Sequence, residues 1–133
     1  RDDASLRASA DRVADAVAAL HRRNDPGASL ASAPRRTLTL ALPEDATLAV
    51  RQRPPRLVAR LADGPPQARS LPVRVQTCGD DATLDGRLTL AYVDLADGPV
   101  VLALRGFIRV DAATGAHACT PRPVRDGRPR LRV

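Results

Sequence analysis

The residues of this sequence that could do chemistry are few and scattered. Cys78 and Cys119 stand 41 positions apart, His21 and His117 stand 96 apart, and His117 precedes Cys119 by two residues. A zinc cage needs four ligands in closely spaced pairs. Neither cysteine has a histidine or a second cysteine at CxxC or CxxH spacing, so His117 and Cys119 make only a lone pair of ligands. A Ser–His–Asp triad assembles from distant segments, so spacing does not forbid one, but no serine here sits in a G-x-S-x-G elbow. Asp81, Asp85 and Gly86 mimic positions 1, 5 and 6 of a calcium loop, yet Thr83 stands at position 3 and Tyr92 at position 12, where a bidentate Glu is required. Residues 78–86 therefore read as a polar hairpin turn. The glycines sit singly, without a phosphate-cradling loop. The expectation is a non-enzymatic protein with no catalytic residues, no metal and no cofactor.

Charge is the stronger feature. All 21 basic residues are Arg, 14 of the 15 acids are Asp with Glu44 the exception, and the net charge is +6. A GC-rich genome biases codons this way. The excess favours acidic partners. Two groups are candidates for holding anions or an acidic partner: Arg51, Arg53, Arg56 and Arg60, and Arg122, Arg125, Arg128, Arg130 and Arg132, the second with only Asp126 as counter-charge. Such guanidinium groups can hold phosphates. Stacking of single-stranded bases needs aromatics, and the chain has one Phe, one Tyr and no Trp. One helix is too few for a helix-turn-helix, so nucleic acid is disfavoured as a partner.

These residues must be positioned by a small scaffold. A length of 133 residues suits one domain, 1–133, with an aliphatic core of Leu, Val and Ala. Leu6, Ala10, Val13, Val17 and Leu20 recur at spacings of 4, 3, 4 and 3, which predicts an amphipathic helix over 3–23. Arg7 with Asp11, and Arg12 with Asp15, are placed to pair along its surface. Asn24-Asp25-Pro26-Gly27 stops it, and 24–36 reads as a loop. From 37 to 133 the period is 2. Alternation predicts strands around Leu38–Leu42, Leu48–Arg51, Leu57–Leu61, Leu71–Gln76, Leu88–Val93 and Val100–Val110, with a last one over 128–133. Pro72 puts the fourth at an edge. Asp-Gly occurs at 63–64, 85–86, 97–98 and 126–127, a pair that favours tight turns. The predicted fold is α+β: one N-terminal helix packed on an antiparallel meander of about five to seven strands.

The helix ADRVADAVAALHRRNDP, the segment PRRTLTLALPE and the close VRDGRPRLRV resemble a group of exported, type IV pilin-related proteins of halophilic archaea. The resemblance covers about half the chain and carries no functional residues. It implies an extracytoplasmic location and a membrane tether or filament upstream, with self-association or other surface subunits as partners. The sequence opens on Arg1 rather than Met, and has no run of 18 apolar residues. The expectation is a processed or trimmed product, and the resemblance implies that an apolar helix lies upstream. Packing would then replace chemistry: the Leu6–Leu20 stripe holds the sheet, and the alanine faces of the helix serve a neighbouring subunit. In an exported domain Cys78 and Cys119 read most simply as one disulfide. It would add about 3–4 kcal/mol by closing a loop of about 40 residues. Two buried free thiols are the alternative. The runner-up function is an adaptor that docks an acidic protein or nucleic acid through the Arg clusters.

Overall fold

The computed structural model describes residues 2–77 and 82–106. One helix, α1 (Asp2–Arg23), is followed by seven strands: β1 (Arg35–Leu40), β2 (Ala46–Gln52), β3 (Pro55–Leu61), β4 (Gln67–Ser70), β5 (Arg74–Thr77), β6 (Gly86–Leu95) and β7 (Gly98–Arg105). The helix forms where the 3.6-residue period demands it. Leu6, Ala10, Val13, Val17 and Leu20 are all buried, Val13 and Val17 completely. Asp2 and Asp3 occupy the first turn and His21, Arg22 and Arg23 the last, the arrangement that complements the helix dipole. At the C-terminus the Asn24 side chain donates to the Leu20 carbonyl (3.3 Å), satisfying one of the acceptors that every helix end leaves open.

The strands make two sheets. One has the order β1-β6-β7-β5, the other β2-β3-β4. All neighbours are antiparallel except β5 and β7, which run parallel with Arg74 opposite Val100 and Thr77 opposite Ala103. The helix lies across both sheets, touching β3, β1, β6, β2 and β4. One continuous core joins its stripe to Leu48, Val50 and Leu57 of the three-stranded sheet and to Leu88, Leu90, Tyr92 and Val101 of the four-stranded one. The arrangement is α+β, a helix on antiparallel-rich sheets, in accord with the period change in the sequence.

The parallel pairing of β5 with β7 departs from the expected antiparallel meander, and further details differ from it. The single sheet is two, because β1 pairs not with β2 but with β6, Arg35 opposite Ala91 through Leu40 opposite Gly86. β1 begins at Arg35, inside the expected loop 24–36. The alternation over 71–76 yields a strand only from Arg74, and Leu71 and Val73 enter the core from the approach to it. β4, sequence QARS, is exposed at every position and has no apolar alternation to announce it. The predicted strand at 128–133 and the Asp-Gly at 126–127 lie outside the described residues.

Two glycines are required by geometry. Gly27 bridges to Val93, its amide donating to the Tyr92 carbonyl (3.0 Å) and its carbonyl accepting from Asp94 (2.9 Å). A side chain there would meet the backbone of Ala33 at 2.7 Å. Gly98, φ 113°, closes the turn between β6 and β7. The link expected over 94–99 is shorter, because pairing runs through Leu95 opposite Gly98 and leaves only Ala96 and Asp97 in the turn.

Candidate functional site

The outer face of the three-stranded sheet is where the charged candidates converge. Along β2, Leu48 and Val50 point into the core, so Thr47, Ala49 and Arg51 point out. Along β3, Leu57 and Ala59 point in, so Arg56, Val58 and Arg60 point out. The register sets Arg51 directly opposite Arg56 and Thr47 opposite Arg60. Arg53 lies in the turn joining the two strands and is exposed. Arg51, Arg53 and Arg56 therefore gather at the hairpin tip, with Arg60 farther along the same face. Among the described residues no carboxylate forms an ion pair with any of the four. Arg51 bonds the Val50 carbonyl (3.2 Å) and Arg56 the Pro54 carbonyl (2.9 Å) instead. Like charges directly opposite in an antiparallel pair disfavour the pairing.

β4 completes the sheet, and its other face works inward. Arg69 lies opposite Leu57 and Gln67 opposite Ala59, on the side that faces α1. Arg69 pairs with Asp11 and, at 3.5 Å, with Asp15. Gln67 donates to Asp3 (3.4 Å). The helix-surface pairs expected from sequence are replaced: Arg7 pairs with Asp3 (3.2 Å) rather than Asp11, and Arg12 donates to the Thr39 carbonyl (2.6 Å) rather than to Asp15. Arg69 was missed because QARS follows Pro65-Pro66 and shows no periodicity. Helix spacing matched its partners Asp11 and Asp15 to Arg7 and Arg12 instead, so no local signal pointed to Arg69.

The alanine faces of the helix are largely consumed within the chain. Ala10, Ala14, Ala16 and Ala19 are buried, and Ala4, Ala8 and Ala18 remain accessible in whole or part. This narrows what the helix can offer a neighbour.

His21 and Tyr92 meet where α1 ends over β6. His21 Nδ1 lies 2.9 Å from the Tyr92 hydroxyl, and the rings stand edge to face, centroids 5.8 Å apart. Tyr92 is 3% exposed. Burial, helped by the carboxylates of Asp25 and Asp94, holds its hydroxyl above its ordinary pKa of 10.0. The pair fastens the helix end to the sheet. Thr89, also buried, donates to the Gly106 carbonyl (2.8 Å).

Among the described residues no group of three or more His, Cys, Asp and Glu is placed to hold a metal ion. Asp85 accepts a hydrogen bond from the Gly86 amide (2.8 Å), as a turn residue does. No helix among the described residues is long and apolar enough to cross a membrane. Cys78, Cys119, Arg122, Arg125, Arg128, Arg130 and Arg132 lie outside the described residues.

Fold and site together define a small α+β domain whose three-stranded sheet carries Arg51, Arg56 and Arg60 on its outer face. α1 and β1 to β7 fall within residues 1–106, which match the model of the family described as Domain of unknown function (DUF7311), and the chain belongs to that family. No curated protein and no solved structure matches the chain.

Proposed function

We propose that the protein is a non-enzymatic, extracytoplasmic structural subunit, the headgroup of a membrane-anchored or filament-assembled surface protein. The observation that carries this reading is the N-terminal helix laid along two sheets in one continuous core, the arrangement shared by pilin-like headgroups. Its Leu6–Leu20 stripe is spent on the sheets, its acidic face is tied to β4 through Arg69 and Gln67, and its end is fastened by His21 to Tyr92. A helix held on three sides is a rigid mount for a headgroup.

The test is the full reading frame that encodes this chain, combined with cell fractionation. A run of about 20 apolar residues continuous with α1, and recovery with the membrane or surface fraction, support the reading. A cytosolic start with recovery in the cytosol overturns it.

A second reading has its own observation. Arg51, Arg53, Arg56 and Arg60 share one face without a carboxylate partner among the described residues, which fits docking of an acidic partner. Binding through several guanidinium groups weakens steeply with salt. A complex indifferent to salt would count against it.

A further inference from the structure

The β2–β3 hairpin is charge-polarised from end to end. Its tip carries Arg51, Arg53 and Arg56. Its open end, where Ala46 pairs with Leu61, is flanked by Glu44, Asp45 and Asp63, all exposed. The two ends are separated by seven paired positions, about 20 Å along the strands. None of the three carboxylates forms an ion pair among the described residues. Asp45 is held in place by its backbone, with φ 68° and its carbonyl accepting from the Ala62 amide (2.8 Å). Arg60, in the half nearer the carboxylates, sets one guanidinium against three acids there.

The polarity is aligned with the helix. Asp3 reaches Gln67, opposite Ala59, while Asp11 and Asp15 reach Arg69, opposite Leu57. Ala59 is nearer the open end of the hairpin and Leu57 nearer its tip. So the helix N-terminus and the acidic end point one way, and the arginine tip points the other. Asp2, exposed at the start of α1, adds to the acidic pole.

We infer that a second copy of this chain docks head to tail, the arginine tip of one copy against the Glu44–Asp45–Asp63 end of the next. This rests on the subunit reading for the choice of partner, and deepens it by naming the contact. The tip tolerates Arg51 opposite Arg56, a local electrostatic penalty, because three carboxylates from a neighbour relieve it. Complementary poles on opposite ends of one chain generate a heterologous contact, which repeats from copy to copy into a ring or an open filament according to its rotation. Charge complementarity of this kind chiefly sets register and partner choice.

Sedimentation of the protein from about 0.05 to about 0.5 M salt tests this, because exposed charges are screened over that range. The expected result is concentration-dependent growth beyond a dimer at low salt and dissociation at high salt. Reversing the tip (R51E/R53E/R56E) or the open end (E44R/D63R) should weaken association at least about tenfold, from several exposed pairs lost. Both sets in one chain should restore it, and an equimolar mixture of the two reversed chains should co-assemble. These are surface positions, and equal melting temperatures would show that the variants fold.

A protein monomeric at every concentration in low salt overturns the inference. So does association indifferent to the reversals, or a doubly reversed chain that stays monomeric. A monomer that binds vesicles of anionic lipid through its tip also overturns it, in favour of a membrane surface. A monomer recovered from the membrane fraction would sink this contact alone and leave the tethered-subunit reading standing.

Discussion

The two sheets use their arginines and leucines in opposite ways. In the four-stranded sheet β6 and β7 are buried on both faces: Leu88, Leu90, Tyr92, Val101 and Ala103 belong to the core beneath the helix, while Ala91, Val93, Leu95, Val100, Leu102 and Leu104 form a second cluster with Leu30 and Ala33. The three-stranded sheet buries one face only, and its outer face carries Arg51, Arg56 and Arg60 between Thr47, Ala49 and Val58. The difference places buried apolar surface on both faces of one sheet and on a single face of the other. A strand buried on both faces takes apolar surface out of water on either side, whereas a strand with one wet face is free to carry charge that packing does not need.

Breaking this comparison begins with the largest effect. Leu90→Ala in β6 should destabilise the protein by about 3 kcal/mol, read by denaturant unfolding, because a fully buried side chain leaves a cavity between helix and sheet. Val58→Ala, on the outer face, should change stability by less than about 1 kcal/mol. Comparable losses at the two sites would mean that the outer face is packed against something.

The next effect concerns the fastening of the helix to β6. Tyr92→Phe removes the bond to His21 and should cost about 1 kcal/mol. The folded state holds the Tyr92 hydroxyl above its ordinary value of 10.0, chiefly through burial and then through Asp25 and Asp94. Its contribution is therefore complete below about pH 10 and is lost as pH rises through the folded value. A melting series into alkali should show this loss in the wild type and a smaller one in Tyr92→Phe.

Smaller still is the tie between β4 and α1. Arg69→Ala should cost about 0.5–1 kcal/mol, because Arg69, Asp11 and Asp15 are all substantially exposed. The loss should shrink as salt rises. The last prediction has the opposite sign: Arg56→Thr, at the position facing Arg51, should raise stability by a few tenths of a kcal/mol at low salt by relieving like-charge opposition. A loss there instead would mean that Arg56 stabilises the isolated chain.

Much of this fold was legible residue by residue. Leu6 through Leu20 announce a helix because helical spacing puts all five on one stripe, and all five are buried. Leu88, Leu90 and Tyr92 announce a strand, and Asp97-Gly98 its turn, because these preferences act within a few residues. β4 was illegible for the same reason in reverse. An exposed four-residue strand with no apolar alternation exists only because β3 offers it a ladder and α1 offers carboxylates to Arg69. The gathering of Arg51, Arg53 and Arg56 was half legible: their closeness in sequence suggested a patch, but register alone set Arg51 opposite Arg56.

The sequence by itself determined the α+β class, the buried stripe of the helix, most of the strands and the positive charge, since these follow from short-range periodicity and composition. Only the tertiary structure decided that the strands divide into two sheets, that β5 runs parallel to β7, and that Asp11 and Asp15 answer to Arg69 rather than to Arg7 and Arg12. Each of these joins residues far apart in the chain, and such pairings are chosen by the competition among all strands and faces for burial, which no local pattern encodes.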